Sequence, residues 1–549
     1  MVWQVYTGNA PEKFLQSCHD WQTLEFNDVV FAIQHDALLF SAPNCIGVFS
    51  GKLFNVPDNL GEHLTALYQK HGLDFPLQLQ GFFSIVMMID GKLLAVRDAI
   101  GERPVYVLES PNSVVLSDRL ATLINHKDCP RLIHPAGVSD FLSTGFSPFA
   151  RTPVLGTSKL YAGVTASIKR SGIDHHHYHH LHDEPIDLSE EAAIAEIRRV
   201  LELAVEQRFE NNLKTGLLLS GGLDSSLVGA LLGGQRLEAA YSLNFGAEYR
   251  NELEFSGLMA KHLNIPHRVV TVTSDMIKAK FLHTAKVLDE PIGDPLTVPN
   301  IIVVEEAAKD VQCVFNGEGG DPIFGGPKNL PIMAFEAYYT DEYSREEMYL
   351  RSYNKGHEHL PMMLLPEFQK QISQYPSSAE LLKPFLNDQS FNSYLHRLMH
   401  INLRLKGAAQ ILPKVLKASS AAGITVRSPL FDRRLAELAF RLPPYMKLKG
   451  SIEKYALKQA VSDIVPQTII DRPKSGMLVP VHYWFNKELK DFAKDQLLAR
   501  NARIKLLIEP KALNNLIAFK GGGIRPYYGD RLWLLLSLEL WLQAHRIGV

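Results

Sequence analysis

The order of apolar and polar positions divides the chain into two regimes. Up to about Ile168, short apolar segments alternate with turn signals. Phe82-Phe83-Ser84-Ile85-Val86-Met87-Met88-Ile89 runs into Asp90-Gly91, and Lys92-Leu93-Leu94-Ala95-Val96 follows. Two apolar runs around Asp-Gly predict a β-hairpin, since that dipeptide accepts the positive φ of a tight turn. The first half is therefore expected to be a strand-rich α+β domain. The segment Asp174 to Glu184 is polar, holds six histidines and ends before Pro185, which reads as a linker closing a first domain over residues 1–185.

The period then changes. Ser189 is placed to cap a helix with Glu190 and Glu191 in its first turn, and Ile194, Ile197, Leu201, Ala204 and Val205 recur at helical spacing. Beyond it, short apolar strands and helices alternate to about Phe324, which implies a parallel sheet with crossover connections. From Pro331 the pattern is mostly helical. It ends in the apolar run Leu532 to Leu542, which contains Trp533 and Trp541 and lacks the basic face of a membrane-surface helix. Residues 186–549 are assigned to this second domain, and no internal repeat is visible.

One junction carries chemistry. Leu217-Leu218-Leu219 breaks into Ser220-Gly221-Gly222, and Leu223-Asp224-Ser225-Ser226 opens the next apolar run. This reads as strand, tight loop, helix. Glycines there let the backbone approach a phosphate. The helix start offers free N–H groups and a positive dipole end to an anion, and Ser220, Ser225 and Ser226 add donors. Asp224 would repel a phosphate, so its presence implies a divalent cation between them. The Gly-x-x-x-x-Gly-Lys-Ser/Thr pattern is absent. The loop resembles instead the pyrophosphatase loop of enzymes that split ATP into AMP and pyrophosphate; the plainer alternative is an ordinary glycine-rich turn.

Composition narrows the class. The 549 residues exceed a single domain, and 46% apolar with 21% charged residues fits a globular protein. A net charge of −2 leaves no global basic footprint for nucleic acid. No apolar run reaches the ~20 residues of a transmembrane helix, and Met1-Val2-Trp3-Gln4-Val5 lacks a basic segment followed by an apolar one. Cys18, Cys45, Cys129 and Cys313 form no Cys-x-x-Cys pair, as expected of reduced structural thiols in a cytoplasmic protein. No nucleic-acid or membrane partner is expected, and a homodimer is compatible with the sequence. The run His175-His176-His177-Tyr178-His179-His180-Leu181-His182 offers metal-binding side chains, against the plainer reading of a solvated linker.

Five stretches of the second half resemble, in order, the synthetase domain of the asparagine synthetase family, which includes β-lactam synthetases and lasso-peptide cyclases. They are Leu219 to Ser226; Leu288-Asp289-Glu290-Pro291-Ile292-Gly293-Asp294-Pro295; Asn316-Gly317-Glu318-Gly319-Gly320-Asp321; Val426-Arg427-Ser428-Pro429-Leu430-Phe431-Asp432; and Arg472-Pro473-Lys474-Ser475-Gly476. The first half resembles the family's glutaminase domain through Gly81-Phe82-Phe83-Ser84 and Ala95-Val96-Arg97-Asp98-Ala99-Ile100-Gly101-Glu102-Arg103-Pro104. The resemblance implies a mixed α+β and α/β protein: an N-terminal Ntn-type β-rich sandwich, then a pyrophosphatase-loop α/β synthetase domain with a helical extension.

The glutaminase likeness is degenerate. Active members begin with cysteine directly after the initiator methionine, and that thiol attacks the glutamine amide. Here the position is Val2. The oxyanion-holding Asn-Gly is matched by Ser50-Gly51, and the Asp that binds the glutamine amine by Leu60. Three losses in one pocket imply that glutamine is not hydrolysed.

The resemblance implies an intact synthetase site. Asp224 and Asp321 would hold Mg²⁺ against the pyrophosphate end of ATP. Leu219, Leu243, Asn316 and Gly317 match positions lining the adenosine pocket, beside the loop residues Ser220, Gly221, Gly222, Ser225 and Ser226. Lys474 matches a lysine near the α-phosphate, and Glu318 matches a carboxylate that takes a proton from the attacking amine; β-lactam synthetases carry Tyr there. Two departures, Gly320-Asp321-Pro322 and Thr425-Val426-Arg427-Ser428-Pro429, fall where the family often has Glu after Asp321 and before Val426, which argues against aspartate as substrate. The implied activity is ATP-dependent amide-bond formation through an acyl-adenylate, with a lactam, macrolactam or intermolecular amide as product in specialised-metabolite biosynthesis. An ammonia-dependent amidotransferase, a tRNA-thiolating enzyme, which would want redox cysteines and a basic surface, and a non-catalytic scaffold are the alternatives.

Overall fold

Alternating apolar positions become strands throughout the first half. The structure, a computed structural model, describes residues 2–8, 20–26, 28–34, 37–55, 57–111, 113–169, 172–327, 329–339, 343–353, 357–473, 476–520 and 527–549. Its strands begin with β1 (Val2–Gly8), β2 (Gln22–Phe26), β3 (Val29–Gln34), β4 (Leu38–Ala42), β5 (Cys45–Leu53) and β6 (Gly81–Ile89). They continue with β7 (Lys92–Arg97), β8 (Tyr106–Ser110), β9 (Ser113–Ser117), β10 (Thr157–Lys159), β11 (Val164–Lys169) and β12 (Gly172–His177). Two six-stranded sheets result, in the orders β10-β8-β9-β1-β3-β2 and β12-β11-β7-β6-β5-β4. All their pairings are antiparallel.

Val5, Phe31 and Leu116 of one sheet share a core with Val48, Val86, Ala95 and Val164 of the other. The far face of the second sheet covers the helix Leu60–His71 through Phe49, Ile85, Leu94 and Leu64. Each such side chain, fully buried, contributes about 1.5–3 kcal/mol. The expected hairpin is present: Asp90 and Gly91, at φ 47 and 73, join β6 to β7. Just after β7, Asp98 closes a tight loop by accepting from the backbone N–H of Ile100, Gly101, Glu102 and Arg103 at 2.7–3.1 Å.

The histidine-rich stretch corrects the reading of a linker from Asp174. Residues up to His177 form edge strand β12, with His177 opposite Val164 and Gly172 opposite Lys169. An edge strand tolerates polar side chains because one flank stays in water. Tyr178 then turns inward, its hydroxyl donating to the Arg97 carbonyl at 2.9 Å.

In the second half, β13 (Thr215–Leu218), β14 (Ala239–Asn244), β15 (His267–Thr271), β16 (Cys313–Phe315) and β17 (Thr425–Arg427) form a parallel sheet in the order β15-β14-β13-β16-β17. Ser189 caps the helix Glu190–Glu206 by accepting from Ala192 N. Ala193 and Val200 join Ile197, Leu201, Ala204 and Val205 on its buried face, whereas Ile194 is only half-buried. The region after Pro331 is mostly helical, and within it strand β17 completes the sheet: its β-branched Thr425 and Val426 pair with Cys313 and Val314. A short hairpin, β18 (Leu448–Lys449) and β19 (Ile452–Glu453), follows. The run Leu532 to Leu542 lies in the helix Tyr528–His545 and is buried throughout, Trp541 donating to the Leu288 carbonyl at 3.2 Å. Among the described residues, no helix is long and apolar enough to cross a membrane. The chain forms two compact units, one of Met1–Val138, Ser147–His180 and His545–Val549, the other of Ser139–Phe146 and Leu181–Ala544.

Candidate functional site

In the parallel sheet, β14 and β15 lie on one side of β13, while β16 and β17 lie on the other. Strand order reverses between β13 and β16, and open α/β sheets bind ligands in the crevice at the carboxyl ends of such strands. The loop Leu219 to Gly222 leaves β13, and the loop Asn316 to Gly319 leaves β16.

The two loops are pressed together. A Cβ on Gly317 would lie 2.2 Å from Ser225 N, and one on Gly320 would lie 2.3 Å from Asp224 Oδ1. Gly221, at φ 77, turns the chain against Ser256. Ser220 Oγ and Ser225 Oγ are 3.0 Å apart, and Ser225 Oγ also accepts from Ser220 N at 3.2 Å. The Ser226 hydroxyl is buried without a hydrogen-bond partner among the described residues. Leu219 and Leu243 are buried at the carboxyl ends of β13 and β14.

Asp224 opens the helix Leu223–Leu232 and Asp321 lies in the first turn of the helix Gly320–Phe324. They converge on a residue that sequence reasoning missed. Lys454 Nζ lies 2.7 and 2.6 Å from the two Asp224 oxygens and 2.6 Å from Asp321 Oδ1. Burial works against the Lys454 charge, but Asp224 and Asp321 outweigh it and hold the ammonium above the usual lysine value. Lys454 follows β19 in the left-handed conformation, at φ 55. Nothing in Ile452-Glu453-Lys454 marks it out along the chain; only the fold brings it to Asp224.

The other motifs build the frame. Asn316 Nδ2 donates to Ser428 Oγ at 3.0 Å, and Asn316 Oδ1 accepts from Glu318 N at 2.9 Å, so this amide shapes its own loop. Asp432, on the same motif as Ser428, pairs with Arg208 at 2.9 Å in the core. Asp294 and Asp289 are held by Lys414 and Lys417 at 2.8 and 2.5 Å. Arg472 donates to the Gly221 carbonyl at 2.9 Å and pairs with Glu252, which ties the fifth motif to the first. Lys474 itself lies outside the described residues.

Glu318 is half-buried, and its carboxylate has no hydrogen-bond or ion-pair partner among the described residues. Burial lowers the pKa of Lys406, against the opposing fields of Asp294, Asp321 and Glu318. Lys406 sits on a π-helical segment, Asn402–Ile411, a form uncommon outside functional regions. Among the described residues, no group of three or more His, Cys, Asp or Glu is arranged to hold a metal. Within the histidine run, His176 Nε2 lies 2.6 Å from Asp74 Oδ1 and His180 Nε2 lies 2.9 Å from the His177 carbonyl.

In the first unit, Val2 pairs with Gln34 at the start of β1, and Ser50 and Gly51 pair with Ser84 and Phe83. Leu60 begins the helix capped by Asn59.

Residues 196–543 match the asparagine synthase family model, and residues 58–179 match the glutamine amidotransferase domain. The chain belongs to the asparagine synthase family. It is 23% identical to asparagine synthetase (glutamine-hydrolyzing) 1 of Bacillus subtilis (strain 168), over 91% of this chain and 82% of that protein. Against asparagine synthetase (glutamine-hydrolyzing) 3 of the same organism the identity is 21%, over 86% and 80%. Against the Bos taurus asparagine synthetase (glutamine-hydrolyzing) it is 24%, over 80% and 71%. The asparagine synthase match spans the crevice between β13 and β16 together with Lys454 and Lys474.

Proposed function

We propose that this chain forms amide bonds with ATP through an acyl-adenylate, releasing AMP and pyrophosphate, and takes no nitrogen from glutamine. The observation that carries this reading is the convergence of Asp224 and Asp321 on one cation at the sheet's switch point. In this reading the serines and the N–H groups of the loop after β13 bind the phosphates, and Leu219 and Leu243 wall the adenosine. The two carboxylates are hard oxygen donors of the kind Mg²⁺ takes, and three of their four oxygens already contact Lys454 Nζ, so Mg²⁺ would have to share them with that ammonium. Bound there, Mg²⁺ would neutralise phosphate oxygens. Lys454 would contribute a second positive charge to the departing pyrophosphate, and Lys474 would steady the charge that develops as the substrate carboxylate attacks.

Glu318 would accept the proton of the incoming amine, a role suited to a carboxylate not committed to a partner. An amine within the same molecule gives a lactam or macrolactam of a specialised metabolite. Free ammonia is the second reading, favoured by Glu318 itself. Against glutamine stand Val2, Ser50 and Leu60, three side chains without the required chemistry.

A pyrophosphate-release assay over a panel of carboxylic acids tests the proposal. AMP and pyrophosphate should appear in equal amounts, dependent on Mg²⁺ and on the acid, and Asp224→Ala or Asp321→Ala should abolish both. Formation of ADP and phosphate, or full turnover by either variant, would overturn it.

A further inference from the structure

Away from the carboxylate pair runs a buried line of polar groups. His396, on the helix Tyr394–Ile401, and Lys447 are each 1% exposed, and Asp183 is 8% exposed. His396 Nδ1 lies 3.2 Å from Asp183 Oδ2, and His396 Nε2 lies 2.9 Å from Lys447 Nζ. A carboxylate can only accept, so the Nδ1 proton goes to Asp183 and Nε2 of the neutral imidazole accepts from Lys447 Nζ, whose own pKa burial pulls well below the usual lysine value. The line thus has one direction, Lys447 to His396 to Asp183, and one imidazole tautomer. Its ends are also satisfied. Lys447 donates to the Leu442 carbonyl, and Asp183 accepts from Asn392 N at 2.7 Å, Asn392 Nδ2 at 3.0 Å and Ser393 N at 3.3 Å.

Polar groups this deep persist only when hydrogen-bonded, and what these hold is a hairpin. Lys447 directly precedes β18, and its carbonyl accepts from Tyr455 N at 3.2 Å. Residues 447–455 therefore form a closed unit whose base is the buried line and whose far end delivers Lys454 to Asp224 and Asp321. On the outside, Glu190 binds Lys449 Nζ at 3.1 Å and the Tyr455 hydroxyl at 2.5 Å. Those contacts are solvated and weak by comparison.

We infer that Asp183, His396 and Lys447 are positioning residues that fix the hairpin and thereby present Lys454 to the two carboxylates. The kinetic part of this inference rests on the ATP reading above; the structural part does not.

The test compares His396→Leu, which breaks both bonds of the imidazole, with His396→Gln, whose amide can accept at one end and donate at the other. Amide hydrogen exchange is followed over residues 447–455, and pyrophosphate release is measured against MgATP concentration. With His396→Leu, exchange in that segment should rise about tenfold and the KM for MgATP about fivefold, with the parallel sheet protected as before. Glutamine should recover most of both. Adding Lys454→Met to His396→Leu should cost no more turnover than Lys454→Met alone. Unchanged exchange in His396→Leu, no recovery with glutamine, or losses that multiply in the double variant would overturn the inference. If His396→Leu does not fold, Lys447→Met is judged by the same criteria. Wild-type protein without MgATP turnover would sink the functional reading, and the exchange comparison would still decide the role of the line.

Discussion

The Lys454 ammonium grips both oxygens of Asp224, at 2.7 and 2.6 Å, from a position 230 residues further along the chain. Asp321 shares the same ammonium, so a single cation neutralises two carboxylates that would otherwise repel. Lys454→Met should lower MgATP-dependent pyrophosphate release at least a hundredfold, since one charge-stabilising donor is worth about 3–4 kcal/mol. It should also lower the melting temperature, because breaking a buried pair costs about 3–5 kcal/mol, less here for the share borne by half-exposed Asp321. Turnover near wild type would remove Lys454 from the site.

Glu318 and the carboxylate pair should separate into two half-reactions. Glu318→Gln keeps the shape of the loop, whose geometry depends on Asn316 rather than on the Glu318 side chain. Exchange of labelled pyrophosphate into ATP should continue when the acid is supplied, while amide formation falls at least a hundredfold. Amide made at the full rate would make Glu318 a spectator.

Purified protein given labelled glutamine should release no glutamate above the blank. Ammonium salts should support product formation wherever the acceptor amine is ammonia. Steady glutamate release would show that Val2 and Leu60 do not disable the first unit.

His396 gives a pH signature. Burial, reinforced by the Lys447 charge, pulls its imidazole down to about 4, from 6.5. As pH falls, the unfolded chain takes up this proton first, so the contribution of His396 is intact above about 6.5 and declines as pH drops toward 4. The stability advantage of wild type over His396→Gln, read by urea unfolding, should shrink across that window. A difference that stays level throughout it would show that the imidazole is not held neutral.

Some of this site was legible along the chain because its chemistry is contiguous. Ser220 to Asp224 and Asn316 to Asp321 each place glycine, hydroxyl or carboxylate within a few residues at a strand end. The π-helical lysine Lys406 and the hairpin lysine Lys454 were not legible, since each sits in ordinary helical or turn sequence and acquires its neighbours only in three dimensions. Strand β17 was hidden for a related reason. Three residues carry no period, and Thr425 to Arg427 become a strand only because β16 offers an open edge. Strand β12 was masked by its histidines, whose polarity resembles a linker although the backbone pairs along its whole length with β11.

The contact between Gly320 and Asp224 reaches beyond the present chemistry. With 2.3 Å left for a Cβ, neither loop can gain bulk unless the other yields at the same time. The loops would have to drift as a linked pair, and grafting one of them from a relative should fail where grafting both succeeds.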